Sequence, residues 1–174
     1  MSDVARLIEE CGAITYGTFT LSDGSLTDYY VDKYVFETRP AVLDAIADEI
    51  ATRLDDGIDV IAGPALGAVP LVTAVSLRTG VRGAFVRRGD THHGTQARIE
   101  GDIGKGQRVA VVEDVTATGA TIIEAAELVE ETGGTVERMI VVVDRNEGAD
   151  EAVHEAGYEL EALVRVGENV DVDI

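Results

Sequence analysis

The sequence predicts an α/β fold, in which a central parallel sheet is flanked by helices and a small β-rich flap lies near the N-terminus. Two observations predict this class. Short apolar runs alternate with helical patterns along most of the chain, which is typical of βαβ units. Runs such as VAVV (109–112) and MIVVV (139–143) are apolar on both faces, as strands covered by helices on each side must be.

The N-terminal third contains the predicted flap and one helix. Residues 15–34 have a hairpin pattern, in which FTLS and YYV flank an Asp23-Gly24 turn. This hairpin would form a flap beside the main sheet. Residues 40–54 are predicted to form an amphipathic helix, because one side of it carries Val42, Leu43, Ile46, Ile50 and Leu54.

Predicted strands and helices alternate through the rest of the chain. The strands are expected at residues 58–62, 81–86, 108–113, 136–144 and 160–166. The helices between them are expected at residues 67–79, 120–132 and 149–156. No internal repeat or Pro/Ser-rich linker interrupts this pattern, so we expect one domain spanning residues 1–174.

The composition is that of a globular protein, with 174 residues of which 45% are hydrophobic and 27% charged. The chain has no apolar run of about eighteen residues, and it begins with acids instead of the basic and apolar regions of a signal peptide. A single cysteine, Cys11, excludes an intrachain disulfide and a zinc–thiolate site. These features predict a cytoplasmic protein that does not enter a membrane.

The charge is strongly negative. Acidic residues number 33 against 14 basic ones, the net charge is −19, and only Lys33 and Lys105 are lysines. Such a surface is typical of a halophilic host, because the Debye length falls to about 3 Å at molar salt and self-repulsion is screened. A merely acidic mesophilic protein is the alternative. The charge disfavours nucleic acid as a partner, since binding it needs a basic face.

One stretch departs from this acidity. Between residues 82 and 108, six bases face three acids. The bases are Arg82, Arg87, Arg88, Arg98, Lys105 and Arg108. If the protein binds an anionic substrate, we expect it to do so here.

The segment 109–121, VAVVEDVTATGAT, carries the most specific pattern. A buried strand ends in two acids, Glu113 and Asp114, and a loop of small residues then enters a helix. Backbone amides at a helix N-terminus can bind a phosphate, and Gly119 permits close approach of the backbone. The acids would repel phosphate but can accept hydrogen bonds from sugar hydroxyls, so the pattern favours a ribose 5-phosphate. An ordinary strand–turn–helix with solvated acids is equally consistent with these residues.

This segment resembles the phosphoribosyl-diphosphate (PRPP) binding motif of the type I phosphoribosyltransferases. Further segments are similar, in the same order, to orotate phosphoribosyltransferases: FTLSDGSLTDYYVDK (19–33), AGPALGAVPL (62–71), VRRGDTHHGTQARIEG (86–101) and VDRNEGA (143–149). The resemblance implies the type I fold, with an N-terminal helix and hood over about residues 1–38 and a core over about residues 39–174. It also implies the transfer of phosphoribosyl from PRPP to orotate, which gives orotidine 5′-phosphate and pyrophosphate in pyrimidine biosynthesis.

The resemblance assigns a PRPP site and the catalytic residues Glu113, Asp114, Arg88 and His93. Glu113 and Asp114 would bind the ribose hydroxyls, and the 5-phosphate would lie against Val115, Thr116, Ala117, Thr118, Gly119, Ala120 and Thr121. The segment 62–68 is similar to the pyrophosphate loop. Residues 86–101 resemble a mobile loop that closes over the neighbouring subunit of a homodimer and contacts pyrophosphate through Arg87, Arg88, Thr91 and His93.

The resemblance also implies the base and metal sites. Arg145 would bind the orotate carboxylate, Tyr30 of the flap would cover the base, and Ala117 would lie beside the base. Mg²⁺ is implied as a cofactor held by PRPP oxygens and water. No protein residue is predicted as a metal ligand, because the adjacent pair His92-His93 rarely converges on one ion without further ligands.

Four positions depart from many family members, which have lysines at the positions of Ser22, Gly67 and Thr91 and a threonine at that of Ala117. The lysine at the position of Thr91 usually contacts the departing pyrophosphate, a task that Arg88 and His92 could share here. Two alternatives therefore stay open at this point. One is a phosphoribosyltransferase for another base, and the other is a regulatory paralogue that binds PRPP or nucleotides without turnover.

Overall fold

In the computed structural model, the described residues are 3–20, 24, 26–87, 98–168 and 170, and they form six helices and eight strands. The helices are α1 (Asp3–Glu10), α2 (Lys33–Glu37), α3 (Pro40–Arg53), α4 (Val69–Thr79), α5 (Ala120–Glu131) and α6 (Ala149–Glu155). The strands are β1 (Ile14–Thr20), β2 (Leu26–Val31), β3 (Val60–Ala65), β4 (Arg82–Arg87), β5 (Ile99–Glu100), β6 (Arg108–Thr116), β7 (Thr135–Asp144) and β8 (Leu160–Arg165). None of the described helices is long and apolar enough to span a bilayer.

Six strands form the main sheet, in the order β5-β4-β3-β6-β7-β8. Neighbours from β4 to β8 are parallel, and the short β5 pairs antiparallel with β4. The predicted central parallel sheet is therefore confirmed, and its five predicted strands lie within a few residues of the expected bounds. The patterns did not predict β5 or α2, because elements of two and five residues are too short to show a hydrophobic period.

Helices cover both faces of this sheet because its central strands are apolar on both sides. In β6, Ala110 and Val112 belong to the core that α1, α3 and α4 share, whereas Val109 and Val111 belong to the core beneath α5. All four residues are fully buried. The predicted amphipathic helix is confirmed as α3, whose buried side carries Val42, Ile46, Ala47 and Ile50.

The strands β1 and β2 form a separate antiparallel sheet, which confirms the predicted flap. Ile14 pairs with Val31, and both are buried in the core shared with α1 and α3. Asp23 of the predicted turn lies outside the described residues. After the flap, the side chain of Asp32 accepts a hydrogen bond from Tyr34 N at 3.1 Å and so caps the start of α2. This cap places Lys33 directly after the flap, at the first position of α2.

Candidate active site

Three loops meet at one edge of the main sheet. The strands β3, β6 and β7 are adjacent and parallel, so their carboxyl ends lie side by side. The loops that follow these strands contain Gly67, the segment 116–121 and Arg145. Ligands of open α/β sheets bind at this edge, and the predicted site residues of the three loops are brought together there.

The strand β6 carries the acid pair Glu113 and Asp114 near its end, and each residue is only 4% exposed. Asp114 is held at both oxygens: Oδ1 accepts a hydrogen bond from Val115 N at 2.6 Å, and Oδ2 accepts one from Lys33 Nζ at 2.6 Å. Burying two adjacent carboxylates is unfavourable unless donors or cations meet them. The pair is therefore not the solvated pair of acids that an ordinary strand–turn–helix would carry.

A tight turn links the acid pair to α5. The buried Thr116 accepts a hydrogen bond at Oγ1 from Gly119 N at 3.1 Å, which closes the turn. Gly119 has a φ of +77°, and a Cβ there would lie 3.2 Å from Ala149 O. Both the backbone conformation and the packing against α6 therefore require glycine. Because α5 begins at Ala120, the amides of this turn lie at a helix N-terminus, where an anion is stabilised.

A cavity of about 330 Å³ lies between the loop after β3 and the acid pair. In this loop Ala68 N donates a hydrogen bond to Pro64 O at 3.0 Å, and the Ala65–Leu66 peptide is cis. The cavity thus connects the segment expected to bind pyrophosphate with the acids expected to bind ribose. Its lining residues are Lys33, Tyr34, Pro64, Ala65, Leu66, Gly67, Ala68, Glu113, Asp114, Val115 and Thr121.

Lys33 and Glu37 lie one helical turn apart on α2 and contribute two further ionisable groups beside Asp114. Burial alone would lower the pKa of Lys33, but its hydrogen bond to Asp114 and the charges of Asp114 and Glu37 raise this pKa above its ordinary value. Glu37 is 4% exposed, and among the described residues neither of its carboxylate oxygens has a hydrogen-bond partner. Burial, and then the charge of Asp114, raise the pKa of Glu37 to about 8, although Lys33 lowers it. At neutral pH, Lys33 is therefore charged and Glu37 is mostly protonated.

Arg145 follows β7 and packs against the flap. Its side chain is 13% exposed, and Nη2 pairs with a carboxylate oxygen of Glu147 at 2.7 Å. Its Nε donates a hydrogen bond to the hydroxyl of Tyr29 at 3.4 Å. The next residue of β2, Tyr30, points to the other face of the flap, where its ring packs 5.7 Å from that of Phe19. A largely buried guanidinium, oriented in this way, suits recognition of a planar carboxylate.

The chain is similar in sequence to known proteins. The family model of the phosphoribosyl transferase domain matches residues 35–157. The orotate phosphoribosyltransferase of Natronomonas pharaonis is 48% identical to the chain over 157 residues, which cover 90% of each protein. The chain belongs to the orotate phosphoribosyltransferase family.

Solved structures of orotate phosphoribosyltransferases have the same fold. The structure from Aeropyrum pernix superposes with a TM-score of 0.81 at 30% identity and covers 93% of both chains. The Mycobacterium tuberculosis H37Rv structure in complex with PRPP superposes with a TM-score of 0.73 at 30% identity and covers 94% of both chains. The predicted family and fold are therefore confirmed. The relative from Natronomonas, a halophilic archaeon, also agrees with the acid-rich, lysine-poor composition.

Family membership does not test the role of each predicted residue, and these roles stay predictions. The described residues bring together Glu113, Asp114 and the turn 115–121, with Arg145 at the end of the adjacent strand. Arg87 ends β4, and its Nη1 pairs with Glu100 at 3.0 Å. Five further residues that the sequence analysis named as site residues or departures lie outside the described residues: Ser22, Arg88, Thr91, His92 and His93.

Three residues that contact or adjoin this site, namely Lys33, Glu37 and Tyr29, were not among the predicted site residues. The sequence does carry a signal for Lys33, since it is one of only two lysines and ends the segment FTLSDGSLTDYYVDK. For Tyr29 the signal is ambiguous, because it is adjacent to Tyr30 and only the parity of β2 decides which ring faces Arg145. Nothing in the sequence marks Glu37 as a site residue, because it is one of 33 acidic residues in the chain.

Proposed function

We propose that this chain transfers the phosphoribosyl group of PRPP to N1 of orotate, giving orotidine 5′-phosphate and pyrophosphate. One observation carries the proposal: a buried acid pair suited to ribose hydroxyls leads directly into an amide turn suited to a 5-phosphate, along β6 and α5. Arg145, at the end of the neighbouring β7, adds a cation for a carboxylated base. Family membership supports the same assignment, as does the PRPP complex of the Mycobacterium tuberculosis relative.

PRPP would be held at two points. The ribose hydroxyls donate hydrogen bonds to Glu113 and Asp114. The 5-phosphate accepts hydrogen bonds from the backbone amides and threonine hydroxyls of the turn. With both ends fixed, the C1 carbon and the incoming base react as positioned groups and not as freely diffusing ones. The turn comprises Val115, Thr116, Ala117, Thr118, Gly119, Ala120 and Thr121.

The reaction replaces one bond at C1 of the ribose: the C1–O bond is broken and a C1–N1 bond is formed. The C1–O bond to the diphosphate breaks ahead of attack, and its electron pair leaves with pyrophosphate. The ribose ring therefore gains positive charge, until the electron pair of orotate N1 forms the new C1–N1 bond and the proton of N1 is released to pyrophosphate or to water. Two buried carboxylates beside the ring hydroxyls stabilise this charge, so the catalytic contribution of Glu113 and Asp114 is positional and electrostatic.

Arg145 would recognise orotate through its carboxylate. The guanidinium already pairs with Glu147 at 2.7 Å, so the orotate carboxylate would compete with or replace this partner. A base without a carboxylate, such as uracil, cannot make this charge-assisted pair. We further propose that Ala117 borders the base and that Tyr30, 47% exposed on β2, covers it.

PRPP is proposed to enter with Mg²⁺ bound to its diphosphate oxygens and to water. Asp114 already accepts hydrogen bonds at both oxygens, from Lys33 and from Val115. Within the described ranges, no three His, Cys, Asp or Glu side chains cluster as metal ligands. An ion carried by the substrate would neutralise charge on the leaving pyrophosphate.

A homodimer would complete the site. We propose that residues 86–101 close over the active site of the partner subunit, where Arg87, Arg88, Thr91 and His93 meet the pyrophosphate. The support is electrostatic, because this loop lies in the stretch where bases outnumber acids, in a chain with a net charge of −19. Arg88 and His93 would stabilise the leaving group, and Arg88 with His92 would share the task of the lysine that Thr91 replaces.

The working environment is proposed to be a salt-rich cytoplasm. The support is the composition, which has 33 acidic residues, a single cysteine and only two lysines. At molar salt, the mutual repulsion of so many surface carboxylates is screened. We therefore expect both folding and turnover to require high KCl.

A spectrophotometric assay with orotate, PRPP and Mg²⁺ in molar KCl tests the proposed function. We expect orotate to be consumed, uracil to be a poor substrate, and Asp114→Asn to lose roughly 10²-fold or more in kcat/KM. Asp48→Asn on the outer side of α3 is the matched control, because Asp48 pairs with Arg78 at the surface, away from the cavity. If wild-type protein forms no product with orotate, or if Asp114→Asn behaves like Asp48→Asn, the proposal is wrong.

A further inference from the structure

Lys33 places a positive charge inside the cavity at the end of β6. Its Nζ lies 2.6 Å from Asp114 Oδ2, and its side chain is 29% exposed against 6% for that of Asp114. Among the described residues that line the cavity, Lys33 is the one cation. A largely buried ion pair at the mouth of a ligand site is costly to desolvate, so a second anion that enters the cavity can compete with Asp114 for the ammonium.

Gly67 leaves the space that the Lys33 ammonium occupies. A Cβ at position 67 would collide with both Lys33 Nζ and Asp114 Oδ2. The φ of Gly67 is not in the left-handed region, so the backbone itself does not require glycine there. The absence of a side chain is needed for space, and the ammonium therefore lies directly against the loop after β3.

Asp114 cannot serve Lys33 and a ribose hydroxyl equally well. Each oxygen of Asp114 already accepts one hydrogen bond, Oδ1 from Val115 N and Oδ2 from Lys33 Nζ, so a hydroxyl that binds at Oδ2 competes with Lys33. Glu37, four residues further along α2, offers little charge to receive the ammonium, because burial keeps it mostly protonated at neutral pH. The diphosphate of the substrate itself would bring a further and more strongly charged anion into the cavity beside Lys33.

We propose that Lys33 exchanges partners when PRPP binds: it leaves Asp114 to the ribose hydroxyls and pairs with the diphosphate against the loop at Gly67. This inference rests on the proposed function, since it concerns the same substrate. Lys33 thereby links two events at the site. Before binding, it compensates the buried charge of Asp114, and after binding it compensates the charge of the leaving group.

The binding of two ligands, PRPP and ribose 5-phosphate, distinguishes this exchange from a merely structural role of Lys33. Lys33→Ala should weaken the binding of PRPP by about tenfold or more, because a charge-assisted contact to the diphosphate is lost. The same change should leave the binding of ribose 5-phosphate unchanged or tighter, because this ligand has no diphosphate and no longer competes with Lys33 for Asp114. Lys33→Gln, which keeps a polar side chain that is one atom shorter and uncharged, should show the same pattern.

The measurement is titration calorimetry with PRPP and with ribose 5-phosphate, in molar KCl and Mg²⁺. Lys105→Ala is the matched control, since Lys105 is the other lysine of the chain and lies outside the cavity lining. Gly67→Ala should weaken both ligands, because its Cβ displaces Lys33 and Asp114 together. Thermal unfolding of each variant in the same buffer checks that the fold is retained.

The outcomes separate this inference from the proposed function. If wild-type protein forms orotidine 5′-phosphate but the Lys33 variants bind both ligands equally weakly, or bind PRPP as wild type does, the exchange is wrong and the function stands. A normal affinity of Gly67→Ala for both ligands also overturns the exchange. If wild-type protein neither binds PRPP nor uses orotate, the proposed function itself fails.

Discussion

The guanidinium carbon of Arg145 lies 5.1 Å from the ring centroid of Tyr29, a residue 116 positions earlier in the chain. The Tyr29 hydroxyl donates a hydrogen bond to Arg145 O at 3.3 Å, while it accepts one from Arg145 Nε at 3.4 Å. Burial raises the pKa of Tyr29 above its ordinary value, although Arg145 lowers it, so the phenol keeps its proton. The flap therefore orients the side chain that we propose for binding of the orotate carboxylate.

This contact predicts a graded effect on orotate binding. Arg145→Ala should raise the KM for orotate by roughly 10–100-fold, because a charge-assisted pair is lost, and should leave the KM for PRPP nearly unchanged. Tyr29→Phe keeps the ring beneath the guanidinium but loses the hydroxyl, and should raise the KM for orotate by about threefold to tenfold. Steady-state kinetics with each substrate varied in turn measures both effects.

The control for these variants is Tyr158→Phe, because Tyr158 lies in a different cavity beside Met139 and Glu159. It should leave both KM values at the wild-type level. Equal effects of Arg145→Ala on the KM values for orotate and PRPP would show that Arg145 supports the site as a whole and does not recognise the base.

Glu37 predicts a pH-dependent loss of stability. Its pKa rises from 4.5 to about 8 in the folded protein, so the folded state holds a proton that the unfolded state releases across this range. Stability should therefore fall as the pH rises from about 4.5 to about 8, by at most ~1.4 kcal/mol per pH unit from this group. Glu37→Gln keeps the size without the charge, and should be more stable than wild type at pH 8 but not at pH 4.5.

Denaturant unfolding at a series of pH values in molar KCl tests this prediction, with the difference between Glu37→Gln and wild type as the quantity of interest. The control is Glu155→Gln, at the end of α6, where the side chain is exposed. A difference that does not change between pH 4.5 and 8 would mean that Glu37 is already ionised in the folded protein.

Gly119 predicts a combined cost to stability and to phosphate binding. Gly119→Ala places a side chain at φ +77°, 3.2 Å from Ala149 O and from Val153 Cγ2. The left-handed conformation alone costs a non-glycine residue about 1–2 kcal/mol, and the close contacts add to it. We expect weaker binding of both PRPP and ribose 5-phosphate, because the turn must open to admit the methyl group.

Gly80→Ala is a matched control, since Gly80 has nearly the same φ, +76°, but nothing lies within 4 Å of a Cβ there. It should show the conformational cost in thermal unfolding and normal PRPP affinity in calorimetry. If both variants lose the same stability and bind PRPP normally, the packing of this turn on α6 does not matter for the site.

The proposed homodimer predicts complementation between two inactive variants. Arg88→Ala removes a residue of the loop that would serve the partner, and Asp114→Asn damages the acid pair of its own subunit. In an equal mixture, half of the dimers would be mixed, and one site of each would regain both residues, so activity should recover to roughly a quarter of wild type. Assays before and after verified subunit exchange measure this recovery. No gain despite exchange would place Arg88 in the site of its own chain.

Local patterns were sufficient to predict most of the architecture. The runs 109–112 and 139–143 are apolar on both faces, and this property required β6 and β7 to lie inside a sheet covered on each side. The segment 109–121 likewise predicted an acid pair at the end of a strand, followed by a turn and a helix N-terminus, because these parts are consecutive in the chain. For α2, local pattern was insufficient, since its five residues form a helix through the Asp32 cap and through contacts with α3.

The sequence by itself determined the fold class, the family and the acid pair and turn of segment 109–121, because each depends on residues that are neighbours along the chain. Only the tertiary structure decided that Lys33 meets Asp114 across 81 positions, that Gly67 leaves room for this pair, and that Tyr29 instead of Tyr30 faces Arg145. The physical reason is that these contacts depend on how the flap docks on the sheet and on the parity of one strand. The docking of the flap leaves no local pattern in the sequence, and the two adjacent tyrosines make the alternation of β2 ambiguous.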